Sequence, residues 1–211
     1  MKHHSLYTGL LAFLLSVAGS FCYGQKDDIY RLAFSDTDTS NFRIMKLLGH
    51  KRPAMIRIMD TTMRMRPARF WIDGLEKATA ADIRKMELDE HHVYNHSYLF
   101  TDTSLSKLFS TSEKKELAAK AAQTGSGKLA LHGTNYTTLH GSKSIKGFYV
   151  VSSAPLFSSN GLYAFIDMLV FYKEKTSTEL NDSYFGTIML VFSKDANGSW
   201  KKIGTRSYLI L

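Results

Sequence analysis

A chain of 211 residues that is 44% hydrophobic can bury a sizeable core, and with a single cysteine it cannot staple that core with internal disulfides. Its formal charge of +8 marks a basic protein, which is an electrostatic statement about partners rather than about fold. It carries no internal repeat and no low-complexity segment, which excludes solenoid and array architectures.

Lys2 and two histidines precede an apolar run, Leu6–Ala18, followed by small residues and Gly24-Gln25. This order predicts a secretory signal peptide over residues 1–24, cleaved before a single α+β domain over 25–211. The run is too short and too glycine-interrupted to span a membrane, so no transmembrane segment is expected after cleavage. Cys22 raises the alternative of a lipoprotein, but Phe21 stands where lipidation needs a small residue. The mature chain then lacks cysteine, and export without disulfides points to a periplasmic or secreted bacterial protein.

In chain order, Asp27-Asp28 predicts the cap of a short helix through Ile29, Tyr30, Leu32 and Ala33. After a polar break, Phe42–Leu48 has helical spacing and Gly49 is placed to end it. Ala54–Asp60 and Thr62–Arg66 alternate instead, with Arg64 and Arg66 on one face and Met63 and Met65 on the other. That pattern predicts a basic hairpin or edge ribbon, interrupted by Pro67. Thr79–Leu88 predicts a helix and Val93–Phe100 a strand. Ser110 with Glu113 forms a capping box that opens a helix through Leu117, Ala118, Ala121 and Ala122, ending at Thr124-Gly125. Gly125-Ser126-Gly127 predicts a flexible joint, and Lys128–Thr138 a strand joining the sheet.

The C-terminal third is the most regular. Gly147–Ser152, Leu162–Tyr172, Gly186–Ser193 and Trp200–Leu211 predict four strands, separated in part by the Asn-Gly turns at Asn160-Gly161 and Asn197-Gly198. Along 162–172 one face holds Leu162, Ala164, Ile166, Met168 and Val170 and the other Tyr163, Phe165, Asp167, Leu169 and Phe171; both are largely apolar, so this strand is expected in the middle of the sheet. The last strand has one partly wet face and is expected nearer an edge. The fold class is therefore α+β: an antiparallel β-meander in the C-terminal half with N-terminal helices packed against it.

Residues 148–203 carry a resemblance. Ser153-Ala154-Pro155-Leu156-Phe157-Ser158, Asn160-Gly161-Leu162-Tyr163-Ala164, Gly186 and Asn197-Gly198-Ser199-Trp200-Lys201-Lys202-Ile203 resemble a pattern in uncharacterised secreted and periplasmic bacterial proteins that end in such a meander. The capped helix near Leu108–Ala122 fits their upstream part. The loop Lys173–Tyr184 departs from the pattern, which carries cysteines and extra glycines there. The shared motifs are turn chemistry, so the resemblance implies a fold and brings no catalytic residues.

Candidate chemistry is sparse. Asp167 sits among aromatic neighbours, where a carboxylate is costly to bury unpaired. It is either a general base with a raised pKa or one half of an ion pair with Arg206 or Lys202. His92 and His96 share a face if helical and could hold zinc with His132, His140 or Glu90, but Val93 occupies the place where the metalloprotease motif has glutamate. Ser104-Leu105-Ser106-Lys107 matches the Ser-x-x-Lys pattern in a chain too short for that enzyme fold. Gly125-Ser126-Gly127-Lys128 lacks the first glycine and the hydroxyl residue of a phosphate loop, and no cofactor is expected.

Charge is the remaining signal. Between Arg43 and Arg69 lie eight basic side chains against Asp60 alone. Such a segment suits an anionic envelope polymer or lipid headgroups, with Arg57, Arg64 and Arg66 as the binding residues, whereas export argues against nucleic acid. The expected function is a non-enzymatic binding domain. The alternative is a small hydrolase-like enzyme with a pocket between helices and sheet, using Asp167 with His92 or His132.

Overall fold

The structure is a computed structural model that describes residues 25–34, 55–70, 98–140, 147–173 and 183–209. The expected signal peptide with Cys22, the Phe42–Leu48 and Thr79–Leu88 helices, and the His92/His96 cluster lie outside the described residues.

Seven strands, β1 (Ile56–Met59), β2 (Tyr136–Leu139), β3 (Gly147–Ser152), β4 (Leu156–Phe157), β5 (Tyr163–Lys173), β6 (Ser183–Lys194) and β7 (Trp200–Leu209), form one sheet. Their order is β2-β1-β3-β5-β6-β7, with β4 paired to β5 beside that path. Helix α1 covers residues 25–34, α2 is Thr103–Ser106 and α3 is Thr111–Gln123. Two 3-10 turns, Pro67–Phe70 and Leu99–Thr101, complete the described elements.

The class is α+β, but the sheet is mixed and not a meander throughout. β5, β6 and β7 follow one another antiparallel, whereas β1 runs parallel to both β2 and β3. Long connections separate β1 from both partners in the chain, and such connections permit parallel pairing where a hairpin would not. The segment expected as a basic hairpin is accordingly an interior strand whose Ile56 and Ile58 are buried. Beyond it the chain touches the sheet through single bridges, Thr61 to Lys128 and Met63 to Ser153. Leu99–Thr101 is a 3-10 turn where a strand was expected, and Asp102 caps α2 directly after it.

Period-two alternation sends the two apolar faces of β5 into two cores. Ala164, Ile166, Met168 and Val170 join Ile188, Leu190 and Phe192 of β6, and α1 covers them with Ile29, Tyr30, Ala33 and Phe34. On the opposite face Phe165, Met189 and Val191 meet Met65, Phe70, Leu99, Phe109 and Leu117. Phe165 is the hub there, edge-on to Phe70 with centroids 5.1 Å apart and 5.8 Å from Phe109. β7 ends the sheet, as its wetter face implies.

The local signals act as chemistry requires. Ser110 Oγ accepts from Glu113 N while the Glu113 carboxylate accepts from Ser110 N, closing the capping box of α3. At the two Asn-Gly turns only the glycines take positive φ, Gly161 at 68° and Gly198 at 81°. Asn160 and Asp195 contribute instead by side-chain acceptance, Asn160 from Leu162 N and Asp195 from Asn197 N and Ser199 N.

Truncating the hub should separate core from surface. Phe165→Ala is expected to cost about 3–5 kcal/mol, and Leu162→Ala, on a side chain that is 47% exposed, within about 0.5 kcal/mol. Urea unfolding midpoints of the two variants check this.

Candidate functional site

β5 is covered on both faces over its first half, so Asp167 is carried into the interior with zero exposure. Its partners come from a segment remote in sequence. After β1 the chain is tied down by Met63 N donating to Ser152 O at 2.9 Å and Met65 N donating to Thr124 Oγ1 at 2.9 Å. Pro67 then opens a 3-10 turn, closed by Arg69 N to Arg66 O at 3.1 Å. Residues three apart eclipse in 3-10 geometry, which brings the guanidiniums of Arg66 and Arg69 to the same carboxylate.

Arg66 is bidentate, with Nε to Oδ2 and Nη2 to Oδ1 of Asp167 both at 2.6 Å. Arg69 donates to Oδ1 from Nε at 3.2 Å and from Nη2 at 3.0 Å. Both guanidiniums also donate to Thr187 Oγ1, whose hydroxyl donates to Met168 O at 2.8 Å. The Tyr184 phenol is a further partner of Arg66. Arg69 is 1% exposed and Arg66 31% exposed, so the second, unbalanced positive charge is solvated at Arg66.

Burial alone would raise the Asp167 pKa, but the charges and hydrogen bonds of Arg69 and Arg66 outweigh it and hold the carboxyl below its ordinary value. Desolvation likewise opposes charge on Arg66, and the Asp167 contacts overcome it. The direction is opposite to what a general base near neutral pH requires. The partners also differ from those expected: Arg206, in register with Met189 and Asp167 across β6 and β7, reaches Thr101 instead.

The backbone of Asp167 is fixed from the far side of the sheet. Ser153 N donates to Asp167 O at 2.7 Å, Asp167 N donates to Ser153 Oγ at 3.0 Å, and the Tyr30 hydroxyl of α1 donates to Ser153 O at 3.1 Å. Burial pushes the Tyr30 phenol's pKa up, with Asp27 adding to the effect.

The other sequence candidates are scattered. Arg64 is exposed and Arg57 is half-buried on β1, pointing away from the Ile56 and Ile58 face. His132 is exposed and lines an open cleft of about 310 Å³ beside α1. Neither that cleft nor a neighbouring one of about 560 Å³ is lined by Asp167. His140 Nδ1 pairs with Asp60 Oδ2 at 2.9 Å on the surface, a contact no motif announced. Ser104 Oγ donates to Asp102 and Ser106 Oγ accepts from Lys114, so the Ser-x-x-Lys hydroxyls serve helix caps and contacts. Among the described residues no cluster of His, Cys, Asp and Glu has metal-ligand grouping.

Gly125-Ser126-Gly127 is tied at its end and is not a free joint. Thr62 N donates to Gly127 O at 2.8 Å, and Gly127 N donates to Thr62 Oγ1 at 2.8 Å. Arg69 is the partner that sequence reasoning missed. The available signal was its spacing of three from Arg66 across Pro67.

The charged cluster governs stability. Asp167→Asn leaves the buried Arg69 guanidinium without its countercharge and is expected to cost about 3–5 kcal/mol. Because the folded pKa is depressed from 3.8, the wild-type contribution is present above that value and lost as pH falls below it. Unfolding midpoints from pH 7 to pH 3 should therefore fall less steeply in the variant. Arg69→Met should cost less in the Asp167→Asn background than alone, and additive costs would count against the coupling.

Comparison with protein-family models, with curated proteins and with solved structures finds no match.

Proposed function

We propose that this chain is an exported, non-enzymatic binding domain whose partner is an anionic component of the cell envelope. The observation that carries the reading is the division of labour within the basic segment. Arg66 and Arg69 are committed to Asp167, while Arg64 stands exposed. Asp167 is the only carboxylate among the described residues that is buried, and its depressed pKa and sealed position suit a structural ion pair better than acid–base work. Export rests on the basic, apolar and small-residue order of residues 1–24.

Arg66 also holds the fold through Asp167, so its loss would confound a binding test with instability. A substitution set meant to test binding must therefore spare it. Arg57 and Arg64 supply separate point charges, whose attraction to an anionic surface is screened within a Debye length.

The test is sedimentation of the chain with vesicles of phosphatidylglycerol or phosphatidylcholine, and with isolated envelope polymer, at low and high salt. Arg57→Ala/Arg64→Ala is run beside the wild type. Binding to an anionic surface at low salt, weakened roughly thirtyfold in the variant at about 1 kcal/mol per charge, is expected. Vesicle and polymer arms distinguish lipid from polymer as the source of the negative charge. Binding unaffected by salt, or equal in the variant, overturns the reading.

A further inference from the structure

We infer that the edge formed by residues 125–132 captures the C-terminal end of an extended polypeptide by strand addition. The first reason is hydrogen-bond accounting. Leu129 N donates to Asp60 O at 2.7 Å, Gly127 O accepts from Thr62 N at 2.8 Å, Leu131 O accepts from Thr138 N at 3.1 Å, and Gly133 N donates to Tyr136 O at 3.1 Å. Residues 127, 129, 131 and 133 thus bond inward. In an extended chain the alternate residues present their N–H and C=O groups to the other side. Those residues are Lys128, Ala130 and His132; all three are exposed, and none makes a backbone hydrogen bond among the described residues. A row of donors and acceptors at two-residue spacing is complementary to another strand.

The second reason is that open space follows this row. The 560 Å³ cleft lies between residues 125–131 and Lys26, Asp27 and Tyr30 of α1. The 310 Å³ cleft continues along Ala130, Leu131 and His132 to Arg31. The two share Asp27, Ala130 and Leu131, so the edge has α1 as its facing wall along its length.

The third reason sets the polarity of the guest. A strand added antiparallel to 128–132 ends beside Gly125 and Ser126. The N–H groups of those two residues carry no hydrogen bond among the described residues, and no side chain at Gly125 blocks close approach. Lys128 is exposed there with no ion pair among the described residues. Donors and a cation at that end match a terminal carboxylate, which backbone N–H groups bind well. At the other end Asp28 is already paired with Arg31 at 2.9 Å, so no further charge is demanded there.

The experiment pans a library of random hexapeptides with free C-terminal carboxylates against the chain and titrates the tightest binder, fluorescein-labelled at its N-terminus. The same peptide amidated at its C-terminus should bind about ten- to a hundredfold more weakly, as loss of a charge-assisted contact implies. Ala130→Pro deletes one outward N–H that has no internal partner, and proline is tolerated at such edge positions. It should lower affinity at least about tenfold at an unchanged urea midpoint. Lys128→Ala should weaken the free peptide and leave the amidated one unchanged, while Arg57→Ala/Arg64→Ala should leave both unchanged. No retained hexapeptide, equal binding of free and amidated peptide, or wild-type affinity in a folded Ala130→Pro variant overturns the inference. The amidation comparison needs no variant to fold.

Discussion

A carboxylate in the middle of a sheet covered on both faces is the constraint on which this structure turns. Left unpaired, Asp167 would cost several kcal/mol, so the chain after β1 must deliver positive charge to it. Delivery explains the path of residues 63–70: leaving the sheet at single bridges, anchoring through Thr124, and turning at Pro67 so that two arginines converge. Thr187 completes the arrangement by accepting from both guanidiniums while satisfying Met168 O. The interaction specifies one path for a segment that otherwise has little regular structure.

This accounts for a basic segment that serves two ends. Its charge reads as a single surface property in the sequence, yet Arg69 is the bulkiest of the fully buried side chains among the described residues. Arg64, two residues before Arg66, faces solvent. Counting charges therefore overstates what is available to a partner, and the surplus is set partly by an internal debt to Asp167.

Elements governed by local rules were legible. The bounds of β3, the capping box of α3 and the two-sided burial of β5 follow from alternation, capping chemistry and turn glycines, which act over a few residues. The parallel placement of β1 was not, because nothing within Ile56–Met59 records which distant strands flank it. The partners of Asp167 were missed for a related reason. Arg206 lies in its cross-strand row, the place where short-range reasoning looks, while Arg66 and Arg69 arrive from roughly a hundred residues away. The edge at 128–132 was hidden as well, since Lys128–Thr138 reads as one strand until its hydrogen bonds show Leu131 and Gly133 folding back onto Tyr136 and Thr138.

The parallel seating of β1 has a kinetic consequence. β5, β6 and β7 pair across short connections and can zip up from local contacts. β1 must wait for partners some eighty to ninety residues downstream, Tyr136–Leu139 and Gly147–Ser152. Closing so large a loop is slow because its entropy is spent before any contact rewards it. A chain emerging N-terminus first thus carries an unpaired β1, and the arginines that follow it, until Tyr136–Leu139 and Gly147–Ser152 have followed. The C-terminal hairpins then form a template, and the docking of β1 with the neutralisation of Asp167 is the late step that locks it.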